Sequence, residues 1–451
     1  MRRTVVGSAA SPTTRSYTYR ISAVAALGGL LFGFDTAIIN GAIVFLRRQF
    51  RWTDVETEVA AGSLLVGCAL GASVAGVLSD RFGRRKILLL SALIFALSSI
   101  ATAVPNSMVQ FCSARVVTGV AIGIASMVSP MYIAEASPAG IRGRLVSMNQ
   151  LAIMLGILVS YLVGWLLSGL GDESWRWMFA VAAIPSLLFW VALLTVPESP
   201  RWLVKENRSD EALAILDRLG EPASRLAEIR SAISEEGGSV RDLLQPRMRR
   251  PLLIGVTLAV LQQITGINTV LYYGSLIFTE QGGAKTTSAA LWSNVLIGAV
   301  NLVCTVIALF LIDRLGRRPL LMIASGGMGL SLAALGLAFL AGPAAGSGPL
   351  VLILCYVGCF SVGMGPGVWV VMSELFPTRI RGRAMSVATV SLWVACLLIT
   401  LSFLSLVRLL SFSGAFWVYA LMCVFTFLFV WRYVPETKGK SLERIEREWR
   451  T

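Results

Sequence analysis

Long apolar runs separated by short polar turns dominate this chain. The first, Ile21 to Leu46, is bounded by Arg20 and Arg47 and holds one charge, Asp35. At about 1.5 Å per residue such a run crosses a bilayer as a helix. The pattern predicts twelve spans, over residues 21–46, 57–79, 86–104, 109–134, 146–169, 175–196, 251–279, 287–312, 319–341, 349–374, 385–407 and 413–432. The runs are near-continuous rather than alternating, which excludes a barrel. In lipid the alternative is helix, because helices satisfy their own backbone. The expected fold class is an all-α membrane protein.

One long polar segment, Pro197 to Arg250, divides the spans six and six. Within it, SDEALAILDRL (209–219) has the spacing of a short amphipathic helix. The two halves repeat. DRFGRRKILLL at Asp80 matches DRLGRRPLLMI at Asp313, an offset of 233. AEASPAGIRGR at Ala134 matches SELFPTRIRGR at Ser373, an offset of 239, and VPESP at Val196 matches VPETK at Val434, an offset of 238. Three matches in one order and at nearly one offset indicate duplication. The expected organisation is an N-terminal segment (1–20), a six-helix half (21–196), a polar loop with short helices (197–250), a second half (251–434) and a tail (435–451). Duplicated halves place a substrate site near the membrane midplane, between them.

Composition agrees: 56% of the 451 residues are hydrophobic, 14% are charged, and the mean hydropathy is +0.74. A soluble domain is about 25% charged. The net charge of +14 records topology. Arg47, Arg48, Arg51, Arg176, Lys285 and Arg408 lie on one side of the predicted spans, and Arg115 lies within one. The other 32 of the 39 Lys and Arg share a side with both termini. Positive charge stays inside, so both termini are expected in the cytoplasm, the protein in the cell (inner or plasma) membrane, and no nucleic-acid partner is implied. No small-residue cleavage site follows the first apolar run, so no signal peptide is expected. Six of the seven cysteines fall inside spans, and neither a zinc pair nor a disulfide framework is suggested. With no histidine, proton chemistry must use carboxylates.

The motifs FGFDTAIING, GVLSDRFGRR, SPMYIAEASPAGIRGRLVSMNQ, VPESPRWL, QQITGIN, DRLGRRP, GVWVVMSELFPTRIRGR and VPETKG resemble those of the sugar porter family of the major facilitator superfamily. The resemblance runs from Phe32 to Lys438. It implies two pseudo-symmetric six-helix halves working by alternating access, and a neutral monosaccharide or related polyol as substrate.

By helical rise Asp35 lies about 21 Å, and Arg115 about 30 Å, from the terminal end of their helices. These are the only charges well away from span ends, and two lone opposite charges in lipid should pair. Burial raises a carboxylate's pKa and a guanidinium lowers it, so the balance can bring Asp35 near ambient pH. Protonation of Asp35 would then release Arg115. The other reading is a static ion pair that fixes helix packing. The resemblance favours the first: the proton-coupled bacterial xylose porter has an Asp in this motif, and facilitative glucose porters of animals have a neutral residue. The coupling ion expected is the proton, with no cofactor and no metal.

Gln262 and Gln263 fall about 17 Å into the seventh span, near mid-bilayer. Gly266 weakens that helix and Asn268 follows. Asn301 on the eighth span and Gln150 on the fifth add neutral amides, which both donate and accept. Trp369 follows GMGPG (363–367), a broken stretch able to line a cavity. Each of these positions matches a sugar-contacting residue of the resembled family. Phe32, Tyr272 and Trp393 are aromatic wall candidates. Singly, each amide could instead be inter-helix glue, worth roughly 0.6 kcal/mol. Leu392 and Cys396 stand where glucose and xylose porters usually carry amides, which leaves pentose, hexose, deoxy sugar or cyclitol open.

Glu135 with Arg142 and Glu374 with Arg381 end corresponding helices; Arg84 and Arg317 sit in the DRxGRR turns, and Glu198 and Glu436 complete the set. The expectation is a cytoplasmic lock that ties the halves together on the inside, stabilises the outward-open state and breaks on inward opening; the alternative is solvated surface pairs worth about 0–1 kcal/mol each. The expected function is proton-coupled symport, against a uniporter with a structural Asp35 or a transporter-like nutrient sensor. An enzyme is disfavoured: there is no GxxxxGK[ST] loop and no nucleophile elbow. A monomer is expected.

Overall fold

The computed structural model describes residues 12–138, 141–235, 245–280, 286–340, 348–376 and 381–438. Residues 1–11 of the N-terminal segment, 236–244 of the polar loop, Lys285, and 439–451 of the tail lie outside the described residues. Every described element is helical. Twelve helices are long and apolar enough to cross a membrane: Ser16–Phe50, Asp54–Phe82, Arg84–Ala103, Met108–Glu135, Arg142–Leu170, Ser174–Leu194, Met248–Glu280, Thr287–Ile312, Arg317–Leu340, Gly348–Leu375, Gly382–Thr400 and Phe403–Tyr433. The face carrying both chain ends is here the terminal face, and the opposite one the distal face.

Local chemistry explains where the helices depart from hydropathy. The second begins at Asp54, earlier than the apolar run, because Thr53 caps it: its hydroxyl accepts from Glu56 N, and Glu56 Oε2 accepts from Thr53 N at 2.8 Å. The sixth is interrupted at Ala182, since Pro185 has no N–H for the Val181 carbonyl. The expected end of the eleventh span at residue 407 is wrong. That helix stops at Thr400, and a turn leads into the twelfth at Phe403, which is broken at Ser411 (φ 64°, ψ 172°) into a short helix, 403–410, and a long one, 412–433. Arg408 misled the reading: its charge marked a loop, whereas the helix carries it on an exposed position near the membrane edge.

The polar loop folds into short helices Pro200–Lys205, Ser209–Arg218 and Ser224–Glu235, the middle one close to the expected 209–219. Trp202, Leu203, Val204 and Ala212 form their small core, and the Trp202 indole donates to the Asp80 carbonyl at 2.9 Å, docking the loop on the first half.

Within the first half, the second helix packs on the fourth and the first on the fifth; within the second half, the ninth packs on the twelfth and the seventh on the eleventh. Across the halves, the fifth meets the eighth, the second meets the eleventh, and the first meets the distal part of the seventh. Lipid exerts no hydrophobic drive between helices, so close backbone approach carries the packing. Gly67, Gly71, Gly119 and Gly123 supply it between the second and fourth helices. A Cβ on Gly119 would sit 2.0 Å from the Leu64 carbonyl oxygen, and one on Gly67 2.0 Å from that of Val116. Gly119→Val should therefore cost about 3 kcal/mol and lower the melting temperature in detergent by several degrees. Gly76→Val on the same second helix, where no atom lies within 4 Å, should leave it unchanged. Equal melting of the two variants would refute this packing.

Candidate functional site

The two lone membrane charges meet. Arg115 Nη1 on the fourth helix donates to Asp35 Oδ2 on the first at 2.7 Å, and both residues are essentially sealed, at 0% and 1% exposure. Nη2 lies 3.5 Å from the Asp35 backbone carbonyl, and the guanidinium stacks 5.1 Å over the Phe179 ring of the sixth helix. Arg115 Nε has no hydrogen-bond partner among the described residues. One ion pair, one cation–π contact and one orphan donor thus surround a single buried guanidinium.

The amides predicted for the midplane also come together, through the tenth helix. Its middle is a π-helical turn, Phe360–Met364, rather than the open break expected of GMGPG. Pro366 cannot donate to the Val362 carbonyl, and the wider turn absorbs that loss. Gln262 ties the seventh helix to the end of that turn: its Nε2 donates to Met364 O at 2.7 Å and Gly365 O at 3.1 Å. Ser361 in the same turn donates to Asn301 Oδ1 at 2.7 Å. Gln263 Nε2 reaches Gln262 Oε1 at 3.2 Å, and Asn268 Nδ2 donates to Gln263 Oε1. The seventh helix is broken between them, at Thr265 and Gly266.

Cys396, the departure on the eleventh helix, has a place in this chain. Its Sγ accepts from Asn268 Nδ2 at 3.1 Å and lies 3.9 Å from the Tyr272 hydroxyl. Leu392 beside it is buried and apolar. Phe32 and Trp393 meet edge to face at 5.5 Å, joining first and eleventh helices across the halves. The Trp393 indole N–H is buried and has no partner among the described residues. Gln150 and Trp369 are half-buried on their helices. Next to Gln150, Asn149 is buried, with an unpartnered Oδ1.

The charged set on the terminal face is duplicated in space as in sequence. In the first half Arg84 grips Glu135 with two bonds, at 2.9 and 3.0 Å, and Ser199 donates to the same carboxylate. In the second, Arg317 grips Glu374 at 2.9–3.3 Å, and Thr437 takes the part of Ser199. Glu198 accepts from Arg85 N at 3.0 Å, and Glu436 from Arg317 N and Arg318 N at 3.1 Å, so each carboxylate caps a helix N-terminus. Burial pushes Glu436 up, but backbone donors from Lys438, Arg317, Arg318 and Thr437 outweigh it and hold the carboxyl below its usual range. The turn needs glycine twice over: Gly83 and Gly316 have φ of 98° and 93°, and a Cβ would strike Glu198 and Glu436 at 2.4 and 2.8 Å. The tie across the halves is expected of the outward-open state, and these residues do not make it here, where the distal side is closed. Each cluster closes within its own half, because the carboxylate's nearest cation is one helix away in that half. Arg142 is half-buried with its Nε unpartnered, and the Arg381 side chain lies outside the described residues.

Residues 21–449 match the family model described as "Sugar (and other) transporter". The chain is 39% identical to the arabinose-proton symporter of Bacillus subtilis, over 97% of each chain, and 38% identical to the D-xylose-proton symporter of Escherichia coli K12, over 96% of each. The inward open structure of the xylose transporter XylE from E. coli superposes with a TM-score of 0.84 at 36% identity, covering 96% of this chain and 100% of that one. The chain belongs to the sugar porter family. It is a membrane transporter, not an enzyme.

A second set of polar contacts, joining the two halves on the distal side, was missed by sequence reasoning. On the distal side Asn40 Nδ2 donates to Leu271 O at 2.9 Å, while Asn40 Oδ1 accepts from Ser275 N at 2.8 Å and Asn294 Nδ2 at 3.1 Å. Tyr161 OH donates to Leu271 O at 3.0 Å, and Arg47 pairs with Glu280 at 3.2 Å. All of these cross from one half to the other. Asn40 sits in the FGFDTAIING motif, and asking which intramembrane amides have cross-half partners would have found it.

For the buried ion pair, removing one partner should cost more than removing both. Arg115→Leu alone is expected to lose about 3–5 kcal/mol of stability. Adding Asp35→Asn should recover much of that, which thermal melting of the single and double variants checks. Additive losses would mean the two side chains do not interact.

Proposed function

We propose that this porter carries a neutral monosaccharide or related polyol into the cell together with a proton, by alternating access. The observation that supports it most directly is the sealed Asp35–Arg115 pair: a carboxylate held 2.7 Å from its only cationic partner among the described residues, with both side chains essentially unexposed. Charged, Asp35 holds the first helix to the fourth; neutral, it frees the guanidinium to shift. The names of the relatives, arabinose- and xylose-proton symporters, support the same coupling. One proton per substrate supplies about 2.3 kcal/mol per 100 mV, roughly 40-fold accumulation. The termini face the cytoplasm on the charge distribution, so the distal seal is the outer gate and this state faces inward. The duplicated terminal-face clusters then hold each half rigid and re-engage across the halves when the inner side closes.

The cargo follows from the amides. Gln262, Gln263, Asn268 and Asn301 bind hydroxyls by exchanging their present partners, and Trp393 offers an indole face and a free N–H. With Leu392 and Cys396, one wall recognises carbon rather than hydroxyl. Cys396→Asn is expected to change the preference between a sugar and its deoxy analogue by roughly tenfold in Vmax/KM; a panel of monosaccharides and cyclitols in uptake competition measures it, and an unchanged ranking would remove Cys396 from specificity.

Coupling is tested in proteoliposomes containing a pH dye. Sugar added outside at zero potential should acidify the lumen. Asp35→Asn should abolish accumulation against a gradient while leaving sugar exchange within a few-fold of wild type. Sugar entry with no acidification, and accumulation intact in Asp35→Asn, would establish a uniporter with a structural carboxylate.

A further inference from the structure

The second helix holds a carboxylate that the proton and sugar sites do not use. Glu58 is 2% exposed. Its Oε1 accepts from Ser405 N at 2.8 Å, and its Oε2 from the Ser405 hydroxyl at 2.8 Å. Ser405 is in the first turn of the twelfth helix, and Ser402, the residue that precedes that helix, caps it with no side-chain bond. A carboxylate of one half thus caps a helix of the other, where backbone N–H groups and the helix dipole favour negative charge.

The capped end belongs to its own half. Tyr273 OH donates to the Thr400 carbonyl at 2.8 Å, and the Phe403 ring packs 5.3 Å from Tyr273 and 6.5 Å from Phe416. Separation of the halves on the distal side must therefore break the Glu58 bonds. The groups around Glu58 leave it no cation among the described residues. Asp54, one turn earlier on its own helix, is paired with Arg47 of the first. Tyr273 of the seventh helix and Tyr419 of the twelfth face it as neutral hydroxyls already bonded to Thr400 and Thr269.

We propose that Glu58 is the latch of the outer gate: its charge stabilises the distal-closed state by capping the twelfth helix, and it regains water when that face opens. The inference rests on the alternating-access reading but on no particular cargo. It adds a positioning residue that sets how often the porter faces outward.

The test needs no substrate. Val270 on the seventh helix is 1% exposed, and its carbonyl lies against Asn40 in the distal seal. In full-length protein with the native cysteines replaced, Val270→Cys reports distal opening through its rate of labelling by a membrane-impermeant maleimide in right-side-out vesicles. Glu58→Gln keeps the shape and removes the charge, and should raise that rate roughly tenfold. Glu58→Asp should restore it most of the way. Ser405→Ala, which removes one donor from the other half, should move it in the same direction as Gln. Melting temperatures of all three should stay within a few degrees of the parent. An unchanged labelling rate in Glu58→Gln, or one that rises only in step with a fall in melting temperature, overturns the latch. Sugar uptake by the wild type is scored separately, so failure of symport and failure of the latch give different results.

Discussion

Hydrocarbon offers a buried polar group no partner, and that constraint organises this molecule. Each charge or amide inside the membrane must find its complement on a neighbouring helix. Asp35 and Arg115 do so at 2.7 Å and thereby fix the first helix against the fourth. Gln262 does so on the Met364 and Gly365 carbonyls, where the π-turn of the tenth helix ends. Asn40 does so across the two halves. Polar side chains that would be minor decoration in a soluble helix here determine which helices touch, and in which state of the transport cycle.

Duplication answers a mechanical need. Each half carries the same terminal-face assembly: an Arg after a left-handed glycine, a carboxylate from the neighbouring helix, and a glutamate from the segment after the last span capping the helix N-terminus. Such an assembly binds the helices of one half into a body that moves as a unit. Alternating access asks for two rigid bodies and a weak interface between them. The densest charge-assisted networks lie within the halves, whereas the distal interface combines neutral amides and backbone carbonyls with two isolated charged contacts, Arg47–Glu280 and Glu58–Ser405.

Much of this was legible in the chain. The apolar runs give the twelve helices, and repeated motifs give the two halves. Two lone charges find each other because no alternative exists in lipid. What escaped was relational. Hydropathy treats Arg408 as a loop charge, although it lies on a short helix, 403–410, that Ser411 separates from the long part of the twelfth. GMGPG reads as a break, whereas a single wide turn accommodates Pro366 without interrupting the helix. The terminal-face charges suggest a cross-half tie by their sign and side of the membrane, but which carboxylate each arginine reaches depends on helix neighbours that spacing along one chain does not specify. Glu58 went unread for the same reason: it looks like an ordinary residue near a helix start until Ser405, 347 positions later, lies against it.

The partly used state of the central amides has a thermodynamic consequence. Gln262, Gln263, Asn268 and Asn301 each hold a protein partner, yet an amide has two donors and two lone pairs, and the Asn301 bond engages only its Oδ1. The bonds already made fix the side chains in place, so their unused donors and lone pairs point in set directions before any guest arrives. On the reading proposed above, a cargo would then meet a template that has already lost its rotamer freedom, and the ordering cost of binding falls on the cargo alone.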